Sequence, residues 1–423
     1  MTRYSYLLSL AGKSAWNRRG TLALVVISII LSVTLLLGIE RIRTQIRESF
    51  VQSVSGTDLI IGARGSNVQL MLYAIFHLGG ATNNMGWESA QEIAGKKEIV
   101  WTIPISLGDS HNGYPVVATT TDFFKHYRFH GGRQLRFIEG QSFSNLFDVT
   151  VGSEVAKNLN YGLGQKIVLS HGSSTIHLTE HTDKPFRVVG ILAPTGTPVD
   201  RSLYINLEAM EAIHLNWQGG TPIPGLKITP EQVRKFNLTP KNITALLVGL
   251  KKRSHVFAIQ REINEWRREP LMGVMPGVAM DQIWSMISTG EHALLLISAL
   301  VTVTGLAGLA SAILAGLGER RRELAILRSA GARPTDILIL LACEGILLVF
   351  IGMVCGFLLL TLMIALLGPI LADTYGFFIY VSVPSTGEWL LLGCISLAGF
   401  LTCLIPAFRA YRLSLADGLT VST

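Results

Sequence analysis

The residues of this sequence best suited to metal chemistry are its ten histidines, all of which fall in the polar middle of the chain. Imidazole is a common ligand for zinc, copper and haem iron, and a four-residue spacing places two side chains on one face of a helix. The segment "STIHLTEH" has the pattern of a hairpin, and no cysteine accompanies the histidines. The pattern therefore favours scattered surface histidines, with metal binding as the minority alternative. The closely spaced histidines are His126, His130, His171, His177 and His181.

A second group of charged residues stands in "ERRRELAILRSAGARPTDI", residues 319–337. Glu319, Arg322 and Glu323 recur at spacings of three and four, so they can pair along a helix whose other face is apolar. Gly331 and Pro334 then end that helix. The segment predicts a short amphipathic helix lying on or below the membrane, and the alternative is a basic loop held by lipid phosphates.

One motif that suggests ATP binding is incomplete. Gly12, Lys13 and Ser14 match the end of a phosphate-binding loop, but Leu7 stands where that loop requires a glycine. With Trp16 nearby, residues 1–19 are better explained as an interfacial amphipathic helix. The chain is therefore not expected to bind ATP by this route, and energy must come from a partner.

Four long apolar segments must position these groups. The chain of 423 residues is 49% apolar and only 15% charged, which is typical of a membrane protein. A helix needs about 20 apolar residues to cross the hydrocarbon core. The segments that meet this length are Thr21–Ile39, Ala293–Gly318, Gly345–Ala372 and Trp389–Phe408.

The distribution of lysine and arginine predicts the orientation of these helices. Basic residues gather before the first segment, in the 319–336 loop and in the tail, and "DTYGFFIYVSVPSTGE" between the last two segments has none. Because such clusters remain cytoplasmic, we expect cytoplasmic N- and C-termini and an external domain between helices 1 and 2. The net charge of +7 is explained by this topology and does not indicate nucleic-acid binding.

The polar middle of the chain has the pattern of an α+β domain. "DVTVGSEVAKNLNYGLGQKIVLS" reads as strand, helix, glycine turn and strand, and Asn206 is a candidate helix cap. Stalk helices are expected to extend the first two spans outward. The predicted divisions are an interfacial helix (1–19), span 1 with its stalk (20–52), the α+β domain (53–270), a stalk with span 2 (271–318), the amphipathic helix (319–336), span 3 (337–368), an external loop (369–387), span 4 (388–410) and a cytoplasmic tail (411–423).

Small and acidic residues in the spans suggest further sites. Glycine and alanine at four-residue spacing allow close helix packing, within one chain or between two copies. Glu344 lies near the cytoplasmic end of span 3, where an ionisable group is a functional candidate that could also reach the membrane interface or Arg333. Glu40, Glu291 and His292 mark the outer ends of spans 1 and 2, as helix caps or as a substrate entrance. The packing candidates are Gly308, Ala312, Gly316, Gly352 and Gly356.

The segment at 319–337 and the tail "IPAFRAYRLSLADGL" resemble a permease family that includes MacB, LolC, LolE and FtsX. Leu415 stands where the family usually has proline. "VTVGSEVAKNLNYGLGQKI" and "RVVGILAPTGTPVDRSLYINLEAMEAI" are similar to the external domain of smaller MacB-like permeases, including haem-efflux permeases of the HrtB kind.

This resemblance implies a non-catalytic, homodimeric permease in the bacterial inner membrane, served by a separate cytoplasmic ABC ATPase of the LolD or MacB type. ATP and Mg²⁺ would belong to that ATPase, and no cofactor is expected on this chain. An outer-membrane or periplasmic partner would complete the system. Residues 319–336 would be the coupling helix, and its implied ATPase contacts are Glu319, Arg320, Arg321, Arg322, Glu323, Arg328 and Gly331.

The implied function is mechanotransmission: motion of the external domain, driven by ATP hydrolysis, exports or extracts a hydrophobic or amphipathic substrate. Two alternatives remain at this point. One is a permease for zinc or another metal, or for haem. The other is an FtsX-like regulator of a periplasmic partner that transports nothing.

Overall fold

The computed structural model describes residues 19–52, 56–79, 83–129, 132–172, 179–218, 221–223, 228–319, 326, 328–329, 331–375, 379 and 381–412. The chain divides into two compact units. The helical unit comprises Met1–Gln45, Ser288–Ala372 and Ile379–Thr423. The inserted domain comprises Ile46–Ile287 together with Asp373–Phe378.

Among the described residues the α-helices are α1 (Arg19–Gln52), α2 (Asn67–Ala74), α3 (Trp87–Ala94), α4 (Asp122–His126), α5 (Ser153–Asn158), α6 (Leu207–His214), α7 (Pro230–Val233), α8 (Val256–Asn264), α9 (Pro276–Glu319), α10 (Pro334–Tyr375) and α11 (Thr386–Arg412). Short 3₁₀ helices lie at Pro198–Arg201 and Arg253–His255.

The strands are β1 (Leu59–Ala63), β2 (Met85–Gly86), β3 (Ile99–His111), β4 (Tyr114–Thr119), β5 (Arg128–Phe129), β6 (Arg133–Gln134), β7 (Phe137–Gly140), β8 (Asp148–Val151), β9 (Lys166–Ile167), β10 (Ser170–His171), β11 (Thr179–Glu180), β12 (Phe186–Leu192), β13 (Leu203–Asn206), β14 (Trp217–Gln218), β15 (Thr221–Pro222), β16 (Asn242–Ile243), β17 (Ala245–Leu250) and β18 (Leu271–Val274).

Helices α1, α9, α10 and α11 are the four within the described residues that are long and apolar enough to cross a membrane. One precedes the mixed α/β domain at residues 59–274 and three follow it, which confirms the predicted fold class. Helix α1 continues to Gln52 and α9 begins at Pro276, so both helices extend beyond the apolar segments Thr21–Ile39 and Ala293–Gly318.

Helix α10 is longer than the span predicted at 337–368. It begins at Pro334, where proline suits the first turn because its missing N–H needs no partner there. It also continues through Pro369 to Tyr375, seven residues into the segment expected to be a loop. An internal proline removes one backbone hydrogen bond and kinks a membrane helix without necessarily ending it.

The inserted domain is built on a mixed sheet with the strand order β18-β1-β17-β3-β4-β13-β8-β12-β7. The pairs β4/β13 and β8/β12 are parallel and the other neighbours in this order are antiparallel. Strand β3 spans 13 residues, and its last part pairs with β4 on one side and with β10 on the other. The central strands β8 and β17 are buried along nearly their whole length, as expected for strands covered on both faces.

Two apolar cores lie on opposite faces of this sheet. Val116 and Ala118 belong to one core and Val117 to the other, because successive side chains of a strand point to opposite faces. Helices α3, α5, α6 and α8 cover the first face, and α2 and α4 cover the second. The sheet therefore holds the long strand β3 between two helical layers.

Candidate functional site

A buried ion pair joins α1 and α11 in the helical unit. Arg41 donates from Nε and Nη2 to the two carboxylate oxygens of Glu388, and both distances are 2.7 Å. Each side chain is only 2% exposed. The Arg41 guanidinium also lies 5.7 Å from the centre of the Phe357 ring, on α10. Bidentate geometry of this kind fixes the orientation of both side chains relative to each other.

The Glu388 side chain also caps the beginning of α11. Its carboxylate accepts a hydrogen bond from the backbone N–H of Ser385 at 3.3 Å, and the Ser385 hydroxyl accepts one from the backbone N–H of Glu388. This reciprocal pair is a capping box, and it satisfies backbone groups that a helix beginning leaves unpaired. The ion pair is thus anchored to the backbone of α11.

The predicted entrance residues have ordinary structural environments. Glu40 is buried and accepts a hydrogen bond from Arg43 at 2.8 Å, one turn further along α1. Glu291 is half-buried and His292 is exposed, both on α9. Glu344, on α10, is buried within the helical unit.

The glycines at four-residue spacing divide into two kinds. A Cβ atom on Gly352 would lie 2.5 Å from Cγ2 of Ile29, and one on Gly356 would lie 2.9 Å from Cβ of Val33. These two glycines therefore allow α10 to pack closely on α1 within one chain. Gly308, on α9, is exposed, and a Cβ there would meet nothing within 4 Å.

Ala312, one turn from Gly308, is half-buried, and Gly316 is buried.

The segment predicted to contact an ATPase is described in part. Ile326, Arg328 and Ser329 have helical backbone, and Gly331 has a φ of 97° that favours glycine at the end of a helix. The backbone N–H of Gly331 donates to the carbonyl of Arg328 at 3.0 Å. Glu319 is the last residue of α9. The remaining predicted contacts lie outside the described residues, and they are Arg320, Arg321, Arg322 and Glu323.

The inserted domain brings together a group that the sequence indicates only in part. Asp109 on β3 and His171 on β10 are directly opposite each other in the antiparallel register, so their side chains share a face. His181 follows β11, and His214 is the last residue of α6. One ligand atom from each of Asp109, His171, His181 and His214 lies within 4.8 Å of the others. We call these four residues the histidine cluster.

Within the histidine cluster three atoms are in direct contact. His171 Nδ1 lies 3.0 Å from Asp109 Oδ1 and 3.1 Å from His214 Nε2. His214 Nε2 lies 3.4 Å from the same Asp109 oxygen. On the other side of its ring, His214 Nδ1 is 2.8 Å from the carbonyl of Met210, to which it donates. That hydrogen bond directs the other nitrogen, Nε2, at Asp109 and His171. Nε2 carries a lone pair in the neutral ring and donates to Asp109 when the ring is protonated.

Burial and the single carboxylate set the charges of the histidine cluster. Burial opposes the charge of Asp109, but hydrogen bonds from His171 and His214 outweigh it and lower the pKa of this carboxyl to about 2. Burial lowers the pKa of His181 to about 4, because Asp109 compensates the desolvation only in part. Burial also acts to lower the pKa of His214, but its interaction with Asp109 raises it overall. The site therefore holds a carboxylate next to a neutral His181 at pH 7.

The other histidine candidates lie elsewhere. His126 stacks on Trp101 with ring centres 5.5 Å apart and takes no part in the histidine cluster. His130 and His177 lie outside the described residues. The sequence did not single out Asp109 or His214. Asp109 interrupts an apolar strand and His214 ends a helix, but their contact depends on strand register and on the placement of α6.

Two protein-family models match the chain. The MacB-like periplasmic core domain matches residues 21–265, more than half of the chain, and the FtsX-like permease C-terminal domain matches residues 295–415. Together with the four apolar helices, these matches define the class as a multi-pass membrane permease with an extracytoplasmic domain.

The chain belongs to the MacB/FtsX-type family of ABC transporter permeases. This family is typically the non-catalytic transmembrane subunit of its transporter and implies a partner ATPase. The resemblance read from the 319–337 segment and the tail is thereby confirmed.

Similar solved structures include the periplasmic region of MacB from Actinobacillus actinomycetemcomitans, with 11% identity over 55% of this chain and 97% of that chain and a TM-score of 0.32. Another is the extracellular domain of the noncanonic ABC-type transporter YknZ from Gram-positive bacteria, with 8% identity over 52% of this chain and 99% of that chain and a TM-score of 0.30. A comparison with curated protein sequences finds no match.

Proposed function

We propose that this permease works by mechanotransmission and exports or extracts a hydrophobic or amphipathic substrate on the outer side of the bacterial inner membrane. A cytoplasmic ATPase of the LolD or MacB type binds ATP and Mg²⁺ and docks on residues 319–336. The helices pass its motion to the inserted domain, which acts on the substrate. The basic segments at both ends of the chain and at 319–336 favour cytoplasmic termini and an inserted domain on the opposite side.

The observation that carries this proposal is the apolar packing of the helical unit. Its buried core is made of aliphatic residues from all four long helices, including Val33, Leu309, Leu341 and Ile395. Within the described residues, buried Ser32 and Ser298 bond to carbonyls of their own helices and Arg41 is paired with Glu388. Glu40 on α1 and Glu344 near the beginning of α10 are further buried carboxylates. A polar cargo crossing such a core would lose its hydration without forming compensating contacts. These helices are therefore better suited to transmit motion than to form a pore.

A second copy of the chain completes the proposed transporter. Gly308 is exposed on α9 with open space around it, and small residues on a membrane helix allow close approach of another helix. Gly352 and Gly356, by contrast, already serve contacts within one chain.

The test is the ATPase activity of the permease and its ATPase, reconstituted together in lipid nanodiscs. Activity is measured without addition and with a lipopeptide, haem or Zn²⁺. The variant Arg321→Ala/Glu323→Ala is expected to abolish the stimulation of ATPase activity by substrate. The matched control is Arg412→Ala, in the basic C-terminal segment, and it is expected to retain this stimulation. Copurification of no ATPase with the unaltered permease would contradict the proposal, and basal activity indifferent to every addition would favour an FtsX-like regulator.

Transport of a metal or of haem is a second candidate, because the histidine cluster places three imidazoles and a carboxylate together in the inserted domain. Stimulation of the same ATPase activity by Zn²⁺ or haem, and not by lipopeptide, would favour this candidate.

A further inference from the structure

We propose that Asp109, His171, His181 and His214 form a binding site for one divalent transition-metal ion, and that Zn²⁺ is the ion that the site fits best. The site lies wholly in the inserted domain. Its occupancy does not depend on ATP hydrolysis, so it can be tested whether or not the proposed mechanotransmission is correct.

The first argument is the spacing of the ligand atoms. Asp109 Oδ1, His171 Nδ1 and His214 Nε2 form a triangle with edges of 3.0, 3.1 and 3.4 Å. Zinc binds nitrogen and carboxylate oxygen at about 2.0–2.1 Å in a tetrahedron, whose corners are then roughly 3.3–3.4 Å apart. One ion can therefore contact all three atoms with little movement of the backbone.

The second argument is that the three atoms of the triangle share a single proton when the His214 ring is neutral. With Nδ1 of His214 bonded to Met210, the neutral ring presents a lone pair, as does the carboxylate oxygen of Asp109. The only donor between them is the N–H of His171, which can point at one of the two. A cation at the centre of the triangle would interact favourably with all three.

The third argument is the state of His181. Its side chain is 0% exposed, yet neither ring nitrogen has a hydrogen-bond partner among the described residues. Asp109 Oδ2 lies 3.8 Å from His181 Nε2 and also lacks a hydrogen bond within the described part of the chain. Buried polar groups are normally satisfied, and leaving them unsatisfied costs about 1–3 kcal/mol each. Ligation through a ring nitrogen would remove this deficit for His181.

The residues around the histidine cluster provide two features of metal sites, a hydrogen bond that orients a ligand and an apolar cover. The Met210 carbonyl orients His214, as outer hydrogen bonds commonly orient metal-ligating imidazoles. The Trp217 ring lies 4.4 Å from His181 and 5.0 Å from His171, measured between ring centres, and provides an apolar cover. The buried ammonium of Lys184 is the nearby positive charge, and it is held by Asp183 and Asn216 at 2.9 and 2.6 Å.

The donor set also selects the chemical class of the ion. Three imidazole nitrogens and one carboxylate oxygen suit Zn²⁺, Cu²⁺ or Ni²⁺, whereas Ca²⁺ and Mg²⁺ require mostly oxygen ligands. The spacing of the three contacting atoms is closer to that of a tetrahedron than to the tetragonal geometry of Cu²⁺, which favours Zn²⁺.

The test uses the full chain in nanodiscs, purified through a tag that contains no histidine and treated with a chelator. Zn²⁺ is titrated in competition with a chromogenic chelator, and Co²⁺ serves as a spectroscopic probe because a tetrahedral site gives intense visible absorption. We expect one tight equivalent of Zn²⁺ per chain and a tetrahedral Co²⁺ spectrum. Binding of the metal should also raise the unfolding temperature of the inserted domain.

The informative variants are His171→Gln and His214→Gln, because these side chains are 26% and 25% exposed and tolerate substitution better than the buried His181. Each should weaken Zn²⁺ binding by more than about 100-fold, since even an outer-shell partner contributes about 10–100-fold. The matched control is His126→Gln, which should leave the affinity unchanged. Unfolding temperatures measured without metal show whether each variant still folds.

If either variant fails to fold, Asp109→Asn replaces it, because the amide keeps the shape of the carboxylate and removes its charge. Zn²⁺ affinity that is unchanged in every folded variant would overturn the proposal. An octahedral Co²⁺ spectrum from the unaltered chain, or the absence of any Zn²⁺ binding tighter than that of His171→Gln, would overturn it as well.

Discussion

The helical unit pairs its buried arginine with a carboxylate, whereas the inserted domain surrounds its buried carboxylate with three imidazoles. Arg41 and Glu388 meet through two short hydrogen bonds, and Glu388 also caps α11, so that within this pair only Nη1 of the guanidinium has no hydrogen-bond partner among the described residues. In the histidine cluster, both nitrogens of His181 and Oδ2 of Asp109 have no hydrogen-bond partner among the described residues.

This difference distinguishes two uses of a buried charge. A pair whose carboxylate is fully engaged fixes two helices relative to each other and leaves little for a ligand to gain. A group with unsatisfied buried atoms is less stable by itself and gains stability when a suitable ion binds. The contrast is measurable, because it predicts large losses from breaking the pair and large gains from filling the cluster.

The largest effect is expected from breaking the pair on one side. Arg41→Met would leave the Glu388 carboxylate buried without its partner and should lower the free energy of unfolding by about 3–5 kcal/mol. The double variant Arg41→Met/Glu388→Leu should recover most of this loss, because no buried charge then remains. Unfolding of the chain in mixed micelles, followed as a function of denaturing detergent, measures both.

The control for this cycle is Lys125→Met in the inserted domain, whose side chain is 65% exposed and pairs with Asp122, which is 47% exposed. An exposed pair contributes less than about 1 kcal/mol. Equal losses from Arg41→Met and Lys125→Met would show that the buried pair does not fix the helices.

An intermediate effect is expected from a histidine that is buried as deeply as His181 but has a hydrogen bond. His77 Nδ1 lies 2.9 Å from the Ser202 hydroxyl, and burial lowers the pKa of His77 from 6.5 to about 4. The unfolded chain takes up this proton near pH 6.5 and the folded chain does so only near pH 4. Stability is therefore intact above pH 6.5 and falls by about 3 kcal/mol as the pH is lowered to 4.

The variant His77→Asn should remove this share of the pH dependence. Asparagine suits the position because His77 has a φ of 53°, a left-handed conformation that asparagine tolerates. Unfolding free energies of the inserted domain between pH 7 and 4 test this, with His126→Asn as control. A slope unchanged by His77→Asn would assign the pH dependence to other groups.

The smallest effect concerns packing in the helical unit, where no charge is involved. Gly352→Ala would place a methyl group 2.5 Å from Ile29 Cγ2 and should cost about 1–3 kcal/mol through overpacking. Gly308→Ala has open space and should leave the stability of a single chain unchanged. The same detergent unfolding measures both variants, and similar losses would contradict the close packing of α10 on α1.

Much of the architecture could be predicted because its signals are local in sequence. Runs of about 20 apolar residues predict the four long helices without knowledge of their partners. Asn206 was predicted as a cap from its position before α6, and its side chain accepts a hydrogen bond from the backbone N–H of Glu208. The 319–337 segment indicated the family for the same reason, although Arg320 to Glu323 remain a prediction.

The two buried groups could not be predicted because their members are distant in the chain. Arg41 and Glu388 are separated by 347 residues. His171 and Asp109 are 62 residues apart and meet only through the β3/β10 register. The spacing of four between His177 and His181 was the visible signal, but the contacts of His181 arise from other strands and from α6.

The position of β1 in the sheet has a consequence for biosynthesis. Strand β1 lies between β17 and β18, and Arg64, next to β1, donates to the carbonyl of Leu271, 207 residues later. At a synthesis rate of about 5–20 residues per second, β17 and β18 are synthesised roughly 10–40 s after β1. During that interval the apolar "LIIGA" segment of β1 has no strand partner on the outer side of the membrane. Chaperones or early packing against α2 must then protect it from aggregation.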